Sequence, residues 1–158
     1  MPKYRKNVAF ILRRPPGEIL VCERWGVSGA WQFPQGGVKS GESLGEAITR
    51  EVREELNLEP NSYHIVQNKG PYRYLFPPGI KKKEYDGQEQ EYYLADLITP
   101  SAKIRFTGKK PEFQALRWLL PNEFQLEWLP PMKREVYKQV FRDFFGIALD
   151  DIPLRVSD

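Results

Sequence analysis

The sequence predicts an α/β domain in which a mixed sheet is held between helices. Three observations carry that reading. Strand-like stretches recur along most of the chain, and two separated stretches repeat their apolar residues at helical spacing. No repeat, linker or low-complexity segment divides the 158 residues. One domain over residues 1–158 is therefore expected, long enough to bury a substantial core.

Taken in order, residues 7–14 (NVAFILRR) and 18–24 (EILVCER) read as strands joined by the turn Pro15-Pro16-Gly17, a hairpin. Residues 31–33 are short and apolar, and Pro34-Gln35 leads into a glycine-rich turn with Gly36, Gly37 and Gly41. Glycine there permits φ > 0 and close approach of another group. A helix follows, opened by a capping box with Ser43 as N-cap and Glu46 three residues on. Glu59-Pro60-Asn61 breaks the chain. Residues 63–68 and 72–76 read as two strands, residues 77–87 as a polar loop with three consecutive lysines, and 88–97 as a further strand. A basic loop at 107–111 precedes a strand at 115–120 and a short turn at 121–124. Pro130-Pro131 introduces a second helix over 132–145, which Gly146 ends. Its stripe of Met132, Val136, Val140, Phe141, Phe144 and Phe145 is core material. Residues 150–158 read as a loose end.

Composition excludes several chemistries. Cys22 and His64 are each alone, so no internal disulfide and no ordinary zinc site can be assembled, and no motif supports a Ser-His-Asp triad. A lone cysteine fits a reducing cytoplasm. The N-terminus lacks a signal-peptide apolar region and no run reaches membrane-spanning length, so no membrane partner is expected. The net charge of +3 suits a polyanionic substrate without resembling a nucleic-acid-coating tail, and nothing calls for DNA readout. What remains is carboxylate chemistry, and hard oxygen ligands favour Mg2+ or Mn2+ as cofactor.

The first helix shows where. Stepping about 100° per residue from Leu44 groups Leu44, Ala47, Ile48 and Val52 into a buried stripe. Glu46, Arg50 and Arg53 fall on the opposite face, where Glu46–Arg50 and Arg50–Glu54 would pair. Glu51 and Glu55 fall at about 340° and 20°, inside the apolar stripe, with Glu54 on its border. Like charges at i,i+4 repel, and a buried unpaired carboxylate is costly. A bound cation removes both objections.

Residues 36–58 resemble a Nudix box, G-x5-E-x7-R-E-U-x-E-E-x-G-U, with U aliphatic. Gly36, Glu42, Arg50, Glu51, Val52, Glu54, Glu55 and Leu58 match in register, and Asn57 replaces the last glycine. Asn is the residue after Gly that best tolerates a left-handed helix end. The resemblance implies the Nudix α/β/α sandwich and metal-dependent hydrolysis of a phosphoanhydride bond. It implies Glu51 and Glu55 as metal ligands, Glu54 as ligand or base, and a backbone carbonyl of the Gly36-Gly37 turn in the metal shell. Arg50 would brace the acids, and Glu42 would contact a metal or lock the turn.

Outside the box, Tyr4-Arg5 with Asn7-Val8, then 31–37 (WQFPQGG), Arg73-Tyr74, 87–90 (GQEQ), Pro111-Glu112-Phe113 and Lys133-Arg134 are similar to one Nudix subgroup. That subgroup holds bacterial RNA pyrophosphohydrolases and plant-type diadenosine tetraphosphate hydrolases. It implies Glu112 as an extra ligand or general base. Arg5, Arg24, Lys39 and Lys133 become candidate phosphate contacts, and Tyr74 a candidate base-stacking platform. Met132 stands where the subgroup usually has a stacking Phe. A dinucleoside polyphosphate offers a second base, with Tyr74 as its partner, so the expected substrate is of that class. The alternatives are a triphosphorylated RNA 5′ end and a non-catalytic nucleotide- or RNA-binding module.

Overall fold

The computed structural model describes residues 1–151, so the end of the expected tail, 152–158, lies outside the described residues. Its strands are β1 (Tyr4–Arg14), β2 (Glu18–Arg24), β3 (Trp31–Gln32), β4 (Gln35–Gly37), β5 (Tyr63–Leu75), β6 (Gly87–Leu97) and β7 (Phe113–Leu119). Its helices are α1 (Leu44–Leu56) and α2 (Pro131–Phe145). The sheet is mixed, in the order β3-β2-β1-β6-β5. β4 pairs antiparallel with β1, β7 antiparallel with β2, and β1 runs parallel to β6 from Tyr4↔Gly87 to Arg13↔Asp96. The β1–β2 hairpin is present, closed at Arg14↔Glu18.

Side chains alternate across a strand, and β1 shows the consequence. Val8, Phe10 and Leu12 join α1 residues Ala47, Ile48, Val52 and Leu56 in one core. Ala9 and Ile11 join α2 residues Val136, Tyr137, Val140 and Phe141 in the other. The architecture is thus the α/β/α sandwich that the sequence implies.

Two local expectations are corrected. The stretch read as two strands is one bent edge strand, β5, whose register shifts between Ile65/Gln67 and Lys69/Tyr72. An edge strand tolerates Pro71 because the missing N–H would face away from the ladder. Leu44, at the first position of α1, is 38% exposed rather than buried, and Leu56 takes the last place in the stripe.

Candidate active site

The site is built where β4 crosses under α1. The pairs Val8↔Gly36 and Asn7↔Gly37 bring the two glycines against β1. A Cβ on Gly36 would collide with the Glu51 carboxylate, and one on Gly37 with the Arg5 guanidinium. Close approach is what demands glycine at these positions. Gly41, at φ 77°, is the one of the three that needs a left-handed turn.

Beyond that turn, Ser43 and Glu46 form the reciprocal capping box, at 3.1 and 3.2 Å. Glu46 is thereby engaged with the helix start, and the expected Glu46–Arg50 pair is replaced. Arg50 instead folds inward, 18% exposed, and gathers the acids. Its Nε donates to Glu42 Oε2 at 2.7 Å, Nη1 to Glu51 Oε1 at 2.7 Å and Glu54 Oε2 at 3.2 Å, and Nη2 to the Gly37 carbonyl at 2.9 Å. These charge-assisted bonds hold the Glu42 carboxyl down at about 2, with the Lys39 N–H as a further donor. Glu54 stays 54% exposed, on the border where the helical spacing puts it.

Glu55 is the opposite case. Its Oε2 is buried without a hydrogen-bond partner. Burial first, and then the Glu51 charge, push its carboxyl up to about 10, against one favourable bond from the Gln35 N–H. A carboxyl so placed favours its neutral form. Among the described residues no three His, Cys, Asp or Glu side chains stand already gathered around one point. The orphaned Glu55 oxygen, the neighbouring Glu51 and the hard oxygen donors nonetheless fit a small divalent cation.

Glu112 is exposed just before β7, its carbonyl accepting the Trp25 N–H at 2.9 Å, and its charge is felt at both Glu55 and Lys133. Lys133, near the start of α2, is pressed down to about 8, by burial first and then by Arg24 and Lys82. Its nearest donor contact is Nζ to Gln32 Oε1 at 3.3 Å. Arg24 ends β2 and is exposed, as is Lys39 in the turn before α1.

An open cavity of about 1010 Å³ is lined by Arg5, Lys39, Arg50, Glu51 and Glu54, with Lys6 and Lys83 on its rim. Arg24, Glu112 and Lys133 lie outside that lining and form a second charged group, tied to the first through Glu55. Tyr74 is corrected: it is 6% exposed, packed edge-on against Phe76 at 6.1 Å, and part of the α2-side core. A ring so buried offers no face to a base.

The NUDIX domain family matches residues 3–144. The chain belongs to the Nudix family. It is 39% identical over 150 residues to an RNA pyrophosphohydrolase of Hahella chejuensis, covering 89% of this chain and 90% of that one. It is 39% identical over 149 residues to one of Helicobacter pylori, covering 90% and 94%. Among solved structures it shares the fold of a C. elegans Ap4A hydrolase, with a TM-score of 0.63 and 17% identity over 90% of this chain and 99% of that one. It also shares the fold of the E. coli dihydroneopterin triphosphate pyrophosphohydrolase, with a TM-score of 0.67 and 17% identity over 90% and 97%.

This Nudix site has a support that motif reading missed. Asn7 Nδ2 donates to Gln35 Oε1 at 2.6 Å, Gln90 Nε2 to Asn7 Oδ1 at 3.0 Å, and the Tyr92 hydroxyl to Gln90 Oε1 at 3.4 Å. This chain of bonds crosses β6, β1 and β4 and ends at Gln35, the residue whose N–H faces Glu55. The signal was available: Asn7 and Gln90 are polar residues that fall next to the apolar halves of β1 and β6, and both are buried.

Proposed function

We propose that this Nudix pyrophosphohydrolase acts on triphosphorylated RNA 5′ ends and leaves a monophosphate. One observation carries the choice of substrate: Tyr74 is buried. The preference for a dinucleoside polyphosphate rested on a second base stacking there. With that platform gone, one nucleoside beside the half-buried Met132 and a polyphosphate in the basic cavity are what the residues accommodate. The relatives named RNA pyrophosphohydrolase support the same reading.

In this reading Glu51 and Glu55 hold Mg2+ or Mn2+, with Glu54, Glu112 and a Gly36 carbonyl completing the donor set. The cation would neutralise phosphate oxygens and lower the pKa of an attacking water. Arg50 fixes the orientation of Glu51 and Glu54 and leaves their outer oxygens toward the cavity. Glu54 and Glu112, the two exposed acids, are positioned to take the proton of the attacking water. Arg5, Arg24, Lys39 and Lys133 receive the phosphates, and half-buried Lys133, with no ion pair of its own among the described residues, gains most from one. Water adds to phosphorus, one phosphoanhydride bond breaks, and the released phosphate oxygen leaves as an anion held by these cations.

The test is product identification with magnesium on triphosphorylated RNA, diadenosine tetraphosphate and nucleoside triphosphates. The expected result is monophosphorylated RNA, at a kcat/KM at least about tenfold above that for diadenosine tetraphosphate. The reverse ratio restores the dinucleoside reading.

A further inference from the structure

We propose that the segment between β6 and β7 is a binding track for the RNA backbone downstream of the 5′ nucleotide. It rests on the RNA reading above. Residues 98–111 (ITPSAKIRFTGKKP) contain four cations and no acid. Ala102, Ile104 and Phe106 turn inward onto the α1-side core, and Phe106 meets Phe113 at 6.0 Å. The alternation leaves Lys103 and Arg105 exposed on the outer side, with Lys109 and Lys110 following.

The segment is fastened to the catalytic helix. The Arg105 N–H donates to the Leu56 carbonyl at 3.1 Å, one residue beyond Glu55. Asn57 Nδ2 donates to the Arg105 carbonyl at 3.2 Å and reaches Thr107 Oγ1 at 3.4 Å. From Thr107 the chain reaches Glu112 within at most about 18 Å. The cations therefore lead from the end of α1 to the acid that faces Glu55.

Lysine-rich loops on soluble proteins are usually only solvated. Two features separate this one. Lys103, Arg105, Lys109 and Lys110 have no ion-pair partner among the described residues, whereas the likewise exposed Arg53 and Arg73 pair with Glu59 and Glu89. Lys103 and Arg105 also line a groove of about 510 Å³ whose other walls are Asn57, Ser101 and Thr107, a set of cations, hydroxyls and an amide without a carboxylate. Two carbonyls at the C-terminal end of α1 beneath it, those of Leu56 and Arg53, already accept from the N–H groups of Arg105 and Asn57, which lessens the negative end's repulsion of a phosphate. Such a donor set suits phosphodiester oxygens, and continuity with Glu112 makes the occupant the substrate's own chain.

The test compares a triphosphorylated dinucleotide with a triphosphorylated unstructured RNA of about a dozen nucleotides, a length within the usual site sizes. Unmodified protein and Lys103→Gln/Arg105→Gln are assayed across salt. The unmodified protein is expected to favour the long RNA at low salt. The variant should lose that preference, its salt slope on long RNA falling by about 1.4 for two neutralised contacts. Its kcat/KM on the dinucleotide should stay unchanged. Equal kcat/KM of variant and unmodified protein on long RNA, or equal losses on both substrates, overturns the track and leaves the RNA reading standing. Failure of the unmodified protein to cut either RNA, while it cuts other nucleotides, removes the RNA reading and the track with it.

Discussion

The two faces of the sheet hold ionisable groups of opposite kind, an acid and a base, each kept from its charged form by its surroundings. On the α1 face Glu55 is held protonated, its carboxyl pushed up to about 10 by burial and by Glu51. On the α2 face Lys133 is pressed down to about 8, by burial first and then by Arg24 and Lys82. Neither has a full-strength partner in the fold: Glu55 keeps an orphaned oxygen, and Lys133 has one amide at 3.3 Å. Each is unfavourable as it stands, and each is relieved by a different part of one complex, a cation for the acid and a phosphate for the base. The fold carries two local instabilities that ligand binding repays.

The sharpest break of that comparison is Glu55→Gln. Its kcat should fall by about 10³-fold, as several kcal/mol of charge stabilisation would be lost. In chelator the variant should melt at least as high as the unmodified protein, and it should lose most of the Tm gain on adding magnesium. The pH dependence has a defined sign. The folded-state pKa lies above the ordinary 4.5, so this carboxyl's stabilisation is complete below that value and is lost as pH rises toward about 10. A Tm series in chelator between about pH 4.5 and 8, below the range where Lys133 titrates, should slope downward, and Glu55→Gln should flatten it. A full magnesium response in the variant would remove Glu55 from the metal site.

Next in size is Glu112→Gln. An exposed acid whose charge reaches both Glu55 and Lys133 is expected to act on the reaction more than on the fold. The kcat should drop by about 10²-fold with little change in KM or Tm. A variant with near-normal kcat would make Glu112 an ordinary solvated loop residue.

Lys133→Met tests the other face. Removing a half-buried, unpaired cation should raise Tm below pH 8 and raise KM about 10- to 100-fold, the worth of a charged hydrogen bond. The folded-state pKa is depressed from 10.5, so between about 8 and 10.5 the unfolded chain binds more protons and stability rises with pH. Over the same window the KM of the unmodified protein should climb as Lys133 loses its charge, and that of the variant should stay level. Parallel KM profiles for the two proteins would place the phosphate contact elsewhere.

The acids were legible in the sequence because helical spacing alone put Glu51 and Glu55 on a face that must be buried, and burial makes carboxylates costly. Both helices and the mixed sheet were legible from periodicity for the same reason. What spacing cannot show is how far a long side chain turns back on itself. Arg50, read as facing water, folds inward because Glu42, Glu51 and the Gly37 carbonyl converge there, the last of them on β4, a strand of three residues with no apolar pattern. Tyr74 was ambiguous in principle. Period-two alternation tells that it shares a face with Tyr72 and Phe76, and only the placement of α2 and the β5 bend decides whether that face is covered.

The smallest effect expected is at Asn57, where this chain departs from the glycine of the Nudix box. Asn57 caps α1 at φ 57°, ψ 36°, the left-handed conformation that the departure implied. Glycine would relieve what strain Asn carries there, and it would also give the unfolded chain more freedom, costing about 0.4–1 kcal/mol. It would in addition remove the amide bond to the Arg105 carbonyl, worth about 0.5–1.5 kcal/mol. Asn tolerates the left-handed region nearly as well as glycine, so the losses exceed the relief. Asn57→Gly should destabilise by about 1 kcal/mol, a drop of roughly 2–4 °C in Tm for a chain of this size. Because that amide ties the β6–β7 segment to the helix that carries Glu55, the variant should also shorten hydrogen-exchange protection of the Arg105 N–H more than that of amides in the middle of α1. A raised Tm would mean that backbone strain outweighs the tie, and that asparagine is kept there for what it holds rather than for helix stability.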